Sequence, residues 1–233
     1  MRLNKFIAET GISSRREADG WIEAGRVSVN GVLATLGTQV NDGDTVAVDG
    51  KPIGAASSHV YLALNKPAGI TCTTERHVAG NIVDFIKHRE RIFPIGRLDK
   101  DSDGLILLTN NGDIVNEILR SENNHEKEYR VTVNRAVTPS FITAMSRGVF
   151  LTELEERTKP CKLEALGEFS FKITLTQGLN RQIRRMCAAF DYKVVRLQRV
   201  RIINVRLGNL KVGAWRDLTP EELKGLLPER TQW

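Results

Sequence analysis

The chain has 233 residues, enough for one large or two modest domains with cores of their own. Apolar residues make up 41% and charged residues 27%, the balance of a globular protein rather than of a disordered or fibrous one. The formal charge of +6 leans toward an acidic partner such as nucleic acid, and no apolar run approaches the length needed to span a bilayer.

The first fifty residues read as a unit. Leu3, Phe6, Ile7 and Thr10 recur at helical spacing, and Gly11 stops that helix. Ser14-Arg15-Arg16-Glu17 is a capping box that opens a second helix through Ala18, Trp21 and Ile22. Val27 to Val29 alternates as a strand and Asn30-Gly31 is a hairpin turn. Thr45 to Val48 is a further strand, closed by Asp49-Gly50. Residues 51–59, rich in Gly, Ala, Ser and Pro, read as a linker.

Residues 60–233 form the expected second domain. Strands are predicted at Val60–Leu64, Leu105–Leu108 and Glu128–Val133, and on a face shared by Phe169, Phe171, Ile173 and Leu175. Helices are predicted at Asn81–His88, Asp113–Arg120, after Thr138-Pro139, at Gln182–Phe190 and at Glu221–Leu227. Strands and helices mix without strict alternation. The expected class is therefore α+β: a mixed, largely antiparallel sheet with flanking helices, preceded by a small α/β domain.

Charge is unevenly spread. Residues 1–50 hold five Lys/Arg against seven Asp/Glu, whereas residues 51–233 hold 29 against 21. Between Arg181 and Arg201 there are seven basic residues and one acid, Asp191. Cys72, Cys161 and Cys187 are odd in number and widely spaced, which fits a reducing cytoplasm. His59, His77, His88 and His125 are scattered, so no zinc site is suggested. The start, Met1 to Lys5, lacks the apolar core of a signal peptide.

The most informative stretch runs from Gly96 to Asn110. Asp99-x-Asp101-x-Asp103-Gly104 fits the first half of a calcium-binding EF-hand loop. The fit then fails: the ninth place is Leu107, the twelfth is Asn110, and the sequel is a strand-like apolar run. A plain turn is the other reading of these residues alone.

Gly96-Arg97-Leu98-Asp99 with Asp103-Gly104-Leu105 resembles the catalytic signature of the pseudouridine synthases, more narrowly the RsuA/RluF-type family that modifies ribosomal RNA. Three further segments agree in order: Leu64-Asn65-Lys66-Pro67-Ala68-Gly69, Lys127-Glu128-Tyr129-Arg130-Val131, and Leu175 to Met186. The N-terminal pattern resembles the small RNA-binding domain named after ribosomal protein S-four. That second resemblance implies RNA contacts by Lys5, Arg15, Arg16 and Arg26, with Arg181 and Arg185 extending the basic surface.

The family resemblance implies that Asp99 is the essential carboxylate, acting as nucleophile or base. Arg184 is the guanidinium expected beside it, since an adjacent cation keeps a carboxylate ionised. Tyr129 should stack on a uracil turned out of its helix, and Arg97 should fill the gap left in the RNA. Asn65 and Lys66 should shape the pocket or touch the RNA backbone. Isomerisation changes no redox state, so the resemblance implies no cofactor and no metal. Gln177-Gly178 replaces the Glu-Gly of many relatives and, with His125 to Tyr129, points to the RluF-type branch. Large-subunit 23S ribosomal RNA is then the expected target, tRNA a second one, and a monomer the expected form. The rival reading is a non-catalytic RNA-binding or assembly factor, which has no reason to hold Asp99, Tyr129 and Arg184 together.

Overall fold

The computed structural model describes residues 1–54, 58–119 and 124–228. The middle of the expected linker (55–57) and Arg120, the expected end of a helix, lie outside the described residues. The chain divides into two compact units, one of Met1–Val60 with His88–Ile92, the other of Tyr61–Lys87 with the chain from Phe93 onward.

In the first unit, helices α1 (Leu3–Glu9) and α2 (Arg15–Glu23) precede strands β1 (Val27–Val29), β2 (Val32–Leu33), β3 (Val46–Val48) and β4 (Lys51–Pro52), ordered β2-β1-β3-β4. The capping box forms as expected. Ser14 accepts from the Glu17 amide, and the Glu17 carboxylate accepts from the Ser14 amide. Asn30 and Gly31 both take positive φ, 51° and 79°, the geometry a two-residue hairpin with right-handed strand twist demands. Lys51 and Pro52, read from sequence as the start of a linker, instead pair with β3. Leu3, Ile7, Ala18, Ile22, Val27 and Val46 form the core of this unit. Each large aliphatic side chain buried there contributes about 1.5–3 kcal/mol.

The second unit is built on one nine-stranded sheet. Its elements in chain order are β5 (Tyr61–Lys66), α3 (Ile82–Ile86), β6 (Phe93–Pro94), β7 (Asp103–Thr109), α4 (Asp113–Leu119), β8 (Lys127–Val133), α5 (Pro139–Ser146), β9 (Phe150–Leu151), β10 (Glu156–Arg157), β11 (Lys162–Gly167), β12 (Ser170–Leu175), α6 (Gln182–Ala188), β13 (Val194–Ile202), β14 (Val205–Arg206), β15 (Trp215–Asp217) and α7 (Pro220–Leu226). The path is β11-β12-β8-β13-β7-β5-β15, with β14 beside β13 and β6 beside β7; β9 and β10 pair separately. Among the named pairs, β13 with β7 is parallel and the rest are antiparallel. The α+β expectation holds.

β5 and β7 are buried along their whole length, which explains why Leu105 to Leu108 reads as an unbroken apolar run. Leu105 and Leu107 pack with Ile114 and Ile118 of α4 and Leu223 and Leu226 of α7. A second core joins Val131 and Val133 to Phe141 and Met145 of α5, Phe171, Ile173 and Leu175 of β12, and Ile183, Met186 and Cys187 of α6. Phe169 departs from the expected face: it lies in the turn before β12 and is 45% exposed.

Candidate active site

Asp99 sits on the connection between β6 and β7, and backbone hydrogen bonds stake that connection at several points. The Ile95 amide donates to Leu107 O at 2.8 Å, and the Ser102 amide donates to Asp99 O at 3.0 Å. The Gly69 amide reaches across from the Pro67–Ile70 turn to Lys100 O at 2.6 Å. Leu98 is buried, so the loop is anchored by an apolar side chain on one side of Asp99 while the Asp99 carboxylate stays 31% exposed.

Asp99 lines a cleft of about 750 Å³ together with Arg97, Lys127, Tyr129, Arg181 and Arg199. The apolar lining comes from both cores, Leu107 and Ile202 from one and Leu175, Ile183 and Leu197 from the other. A second cleft of about 600 Å³ shares Arg97, Asp99 and Asn180 with the first and adds Thr71, Thr73 and Thr74. Strand register fixes part of the wall. Tyr129 on β8 is the direct cross-strand partner of Arg199 on β13, which puts both side chains on one face of the sheet. The register then slips between Arg199 and Arg201, so Ile202 also faces the cleft despite its odd separation from Arg199.

The guanidinium beside Asp99 is not the expected one. Arg181 Nη1 lies 3.7 Å from Asp99 Oδ2, and the same guanidinium holds Asp101 through bonds of 3.2 and 2.9 Å. Arg184 packs against the next acid instead, its guanidinium 3.4 Å from Asp101 Oδ2. It donates to Ser102 Oγ at 3.2 Å, to Asp101 O at 3.3 Å and to Val194 O at 3.4 Å, and its side chain is 15% exposed. The reason is local: Arg181 precedes α6 in a left-handed conformation, φ 49°, that aims its side chain at the loop. Arg184, inside the helix, packs under the same loop. The hydrogen bond from Arg181, with the nearby charge of Arg184, holds the Asp101 carboxyl below the usual carboxylate range. Asp103, the third acid of the loop, has partners of its own: it accepts from Arg196 at 3.1 and 2.8 Å and from Gln198 at 2.9 Å.

Asn65 and Lys66 do not line the cleft. Lys66 is fully buried, and its ammonium donates to Pro67 O at 3.0 Å and Ile70 O at 2.9 Å, so it cannot reach an RNA phosphate. Burial pushes its pKa down. Asn65 donates to Leu210 O at 2.7 Å. Lys66 shapes the turn that bonds to Lys100, one position past Asp99, whereas Asn65 ties β5 to the Leu210–Ala214 segment. Of the residues expected to meet RNA, Arg15 and Arg16 are exposed in the first turn of α2. Arg26 makes a two-point pair with Asp49 and stacks 5.2 Å over Trp21, so it is committed to its own unit. Lys5 pairs with Glu9 at 3.5 Å. Arg185 is held by Asn180 and Glu153.

Two cleft residues escape a reading of the sequence. Lys127 lies two positions before Tyr129 on β8, and burial, with the charge of Arg199, lowers its pKa. Arg199 is 4% exposed; it donates to Leu105 O at 2.7 Å and Arg97 O at 3.3 Å, with its Cζ 6.0 Å from the Tyr129 ring centre. The signal that could have found Arg199 is Gly104. A Cβ there would sit 2.3 Å from Arg199 O, and φ is +107°, so glycine marks the close passage of β13.

Comparison with known proteins identifies the family and the fold. The family described as RNA pseudouridylate synthase matches residues 60–189, and the S4 domain matches residues 1–46. The chain is 57% identical to the dual-specificity RNA pseudouridine synthase RluF of Escherichia coli K12, over 96% of this chain and 77% of that protein. It is 35% identical to ribosomal large subunit pseudouridine synthase B of Bacillus subtilis, over 97% of this chain and 95% of that one. A crystal structure of a pseudouridylate synthase superposes with a TM-score of 0.72 at 33% identity, covering 97% of this chain and 99% of that chain.

Proposed function

Because the chain belongs to the RNA pseudouridine synthase family, we propose that Asp99 carries out the isomerisation on a uridine turned out of its helix into the 750 Å³ cleft. The observation that carries this reading is one carboxylate, backbone-staked and beside the Arg181 guanidinium, on the same cleft wall system as the Tyr129 ring. The reaction breaks the bond between ring N1 and ribose C1′ and forms one between ring C5 and C1′. A proton leaves C5 and one is gained at N1, so atoms and electrons balance without an outside reductant or energy source. Asp99 serves as nucleophile toward the ribose or base, or as base toward a ribose proton. Arg181 fixes the carboxylate's position. Tyr129 offers a flat apolar face for the detached ring, which must turn without escaping, and a hydroxyl near its edge. Arg97, exposed where the two clefts meet, occupies the place the uridine left.

The substrate is structured ribosomal RNA of the large subunit, with tRNA as a second substrate. What supports this is the relative at 57% identity, whose name carries the words dual-specificity, against 35% for the large-subunit enzyme and 33% for ribosomal small subunit pseudouridine synthase A of Haemophilus influenzae. The S4 unit docks RNA through Arg15 and Arg16, whose exposed cations stand at a helix start. Its three free cysteines suit a reducing cytoplasm, and a monomer is the form we propose; separately, among the described residues no helix is long and apolar enough to cross a membrane. Mapping pseudouridine in total RNA from cells with and without this gene tests the assignment. Loss of a large-subunit site supports it, and unchanged large-subunit RNA overturns it.

A further inference from the structure

Arg199 carries a donor that the fold does not use. Its Nε and Nη1 are bonded to Leu105 O and Arg97 O, which lock the plane of the guanidinium. Its Nη2 is buried and has no hydrogen-bond partner. A buried unpartnered donor costs about 1–3 kcal/mol and calls for a partner, a water or a ligand, that the fold itself does not supply. This donor belongs to a residue that lines the cleft and is the cross-strand neighbour of Tyr129.

We propose that Arg199 Nη2 donates to a carbonyl oxygen of the target uracil, which makes Arg199 a base-recognising residue of the cleft. The inference rests on the reading of the cleft as the seat of the extruded uridine. Three observations favour the base over a phosphate. Arg199 is 4% exposed, its two anchoring bonds stop it from swinging to the mouth, and its neighbour is the aromatic ring a base would stack on. The chemistry is selective for a contact to O4. A guanidinium only donates, and uracil presents acceptors at O2 and O4, whereas cytosine presents an amino donor in place of O4. The charge is also well placed: when the N1–C1′ bond breaks with its electron pair left on the ring, negative charge spreads to those oxygens and meets a fixed cation.

The test compares wild type and Arg199→Lys on one RNA carrying uridine, 2-thiouridine, 4-deoxyuridine or an abasic residue at the target, with melting temperature as the folding control. In wild type, one of the two analogues should lose about ten-fold or more in affinity relative to uridine. In Arg199→Lys that loss should shrink to about two-fold, since the shorter, unforked ammonium lacks the Nη2 donor that the two anchoring bonds hold in place. Equal analogue effects in both proteins overturn the proposal. So does an Arg199→Lys defect of the same size on abasic RNA, which places the guanidinium on a phosphate. If wild type itself does not distinguish uridine from abasic RNA, the cleft reading fails and this inference falls with it. Should Arg199→Lys not fold, a crystal structure of Asp99→Asn with the uridine RNA decides. Nη2 within hydrogen-bond distance of a ring oxygen upholds the contact, and a gap wide enough for a water overturns it.

Discussion

Arg181 bridges two aspartates of a single loop, reaching Asp99 at 3.7 Å and Asp101 at 2.9 Å. It ties the start of α6 to the connection between β6 and β7, which are far apart in sequence. The pairing divides labour between two arginines that the sequence alone does not distinguish: Arg181 addresses Asp99, the proposed reactive carboxylate, and Arg184 supports the loop from beneath.

Arg181→Ala should therefore lower turnover on the order of ten- to a hundred-fold, because a reacting group displaced by about 1 Å loses that much rate. Its melting temperature should shift little, since the pair is half exposed. Arg184→Ala should instead cost about 1–3 kcal/mol of stability through buried acceptors left bare. Single-turnover kinetics and thermal melts of both variants check this. A fully active Arg181→Ala protein would reverse the assignment.

Gly104→Ala should destabilise the second unit by about 2 kcal/mol or more. The added methyl meets Arg199 O at 2.3 Å, and the backbone is held at φ +107°. A denaturant melt showing wild-type stability would mean that β13 can retreat at no cost.

The pH dependence follows from Asp101. Its folded pKa is depressed, chiefly by the hydrogen bond from Arg181. Such a group stabilises the fold above the pKa of an unfolded aspartate, about 3.9, and that stabilisation is lost as pH falls through the lower folded value. Asp101→Asn should thus melt earlier than wild type at pH 7, by no more than about 1 kcal/mol given its exposure, and the gap should narrow as pH falls below the value of an unfolded aspartate. A gap of constant size from pH 7 to 2.5 would contradict the linkage.

Replacing Arg15 and Arg16 together by Ala should weaken RNA binding and flatten its salt dependence by about one to two units of slope, while saturating turnover stays near wild type. Filter binding from low to moderate salt reads the slope. An unchanged slope would remove these residues from the docking surface.

Much of the fold is legible because local rules and burial agree. The capping box at Ser14 and Glu17, the Asn30-Gly31 turn and the apolar run of β7 each state their conformation in a few residues. β13 is the instructive miss. Val194 to Ile202 is the longest strand, yet Arg196, Arg199 and Arg201 make it read as a basic surface. Those arginines are turned inward: Arg196 is spent on Asp103 and Arg201 on Glu126, while Arg199 is anchored to Leu105 O with one donor left over. Sequence marks a cation without saying whether a fold neutralises it. For the same reason Arg26 looks like an RNA contact and is held by Asp49. The motif points to Asp99, which lines the cleft, but which arginine faces it depends on the left-handed turn at Arg181, a backbone fact without a sequence signature.

The most direct measurement is single-turnover isomerisation of the cognate RNA by Asp99→Asn alongside its RNA affinity. That change removes one charge while keeping the shape of a side chain that is 31% exposed at the cleft. The account expects no detectable pseudouridine with affinity within about three-fold of wild type, because the phosphate contacts are untouched. Substantial turnover by the purified variant would contradict it.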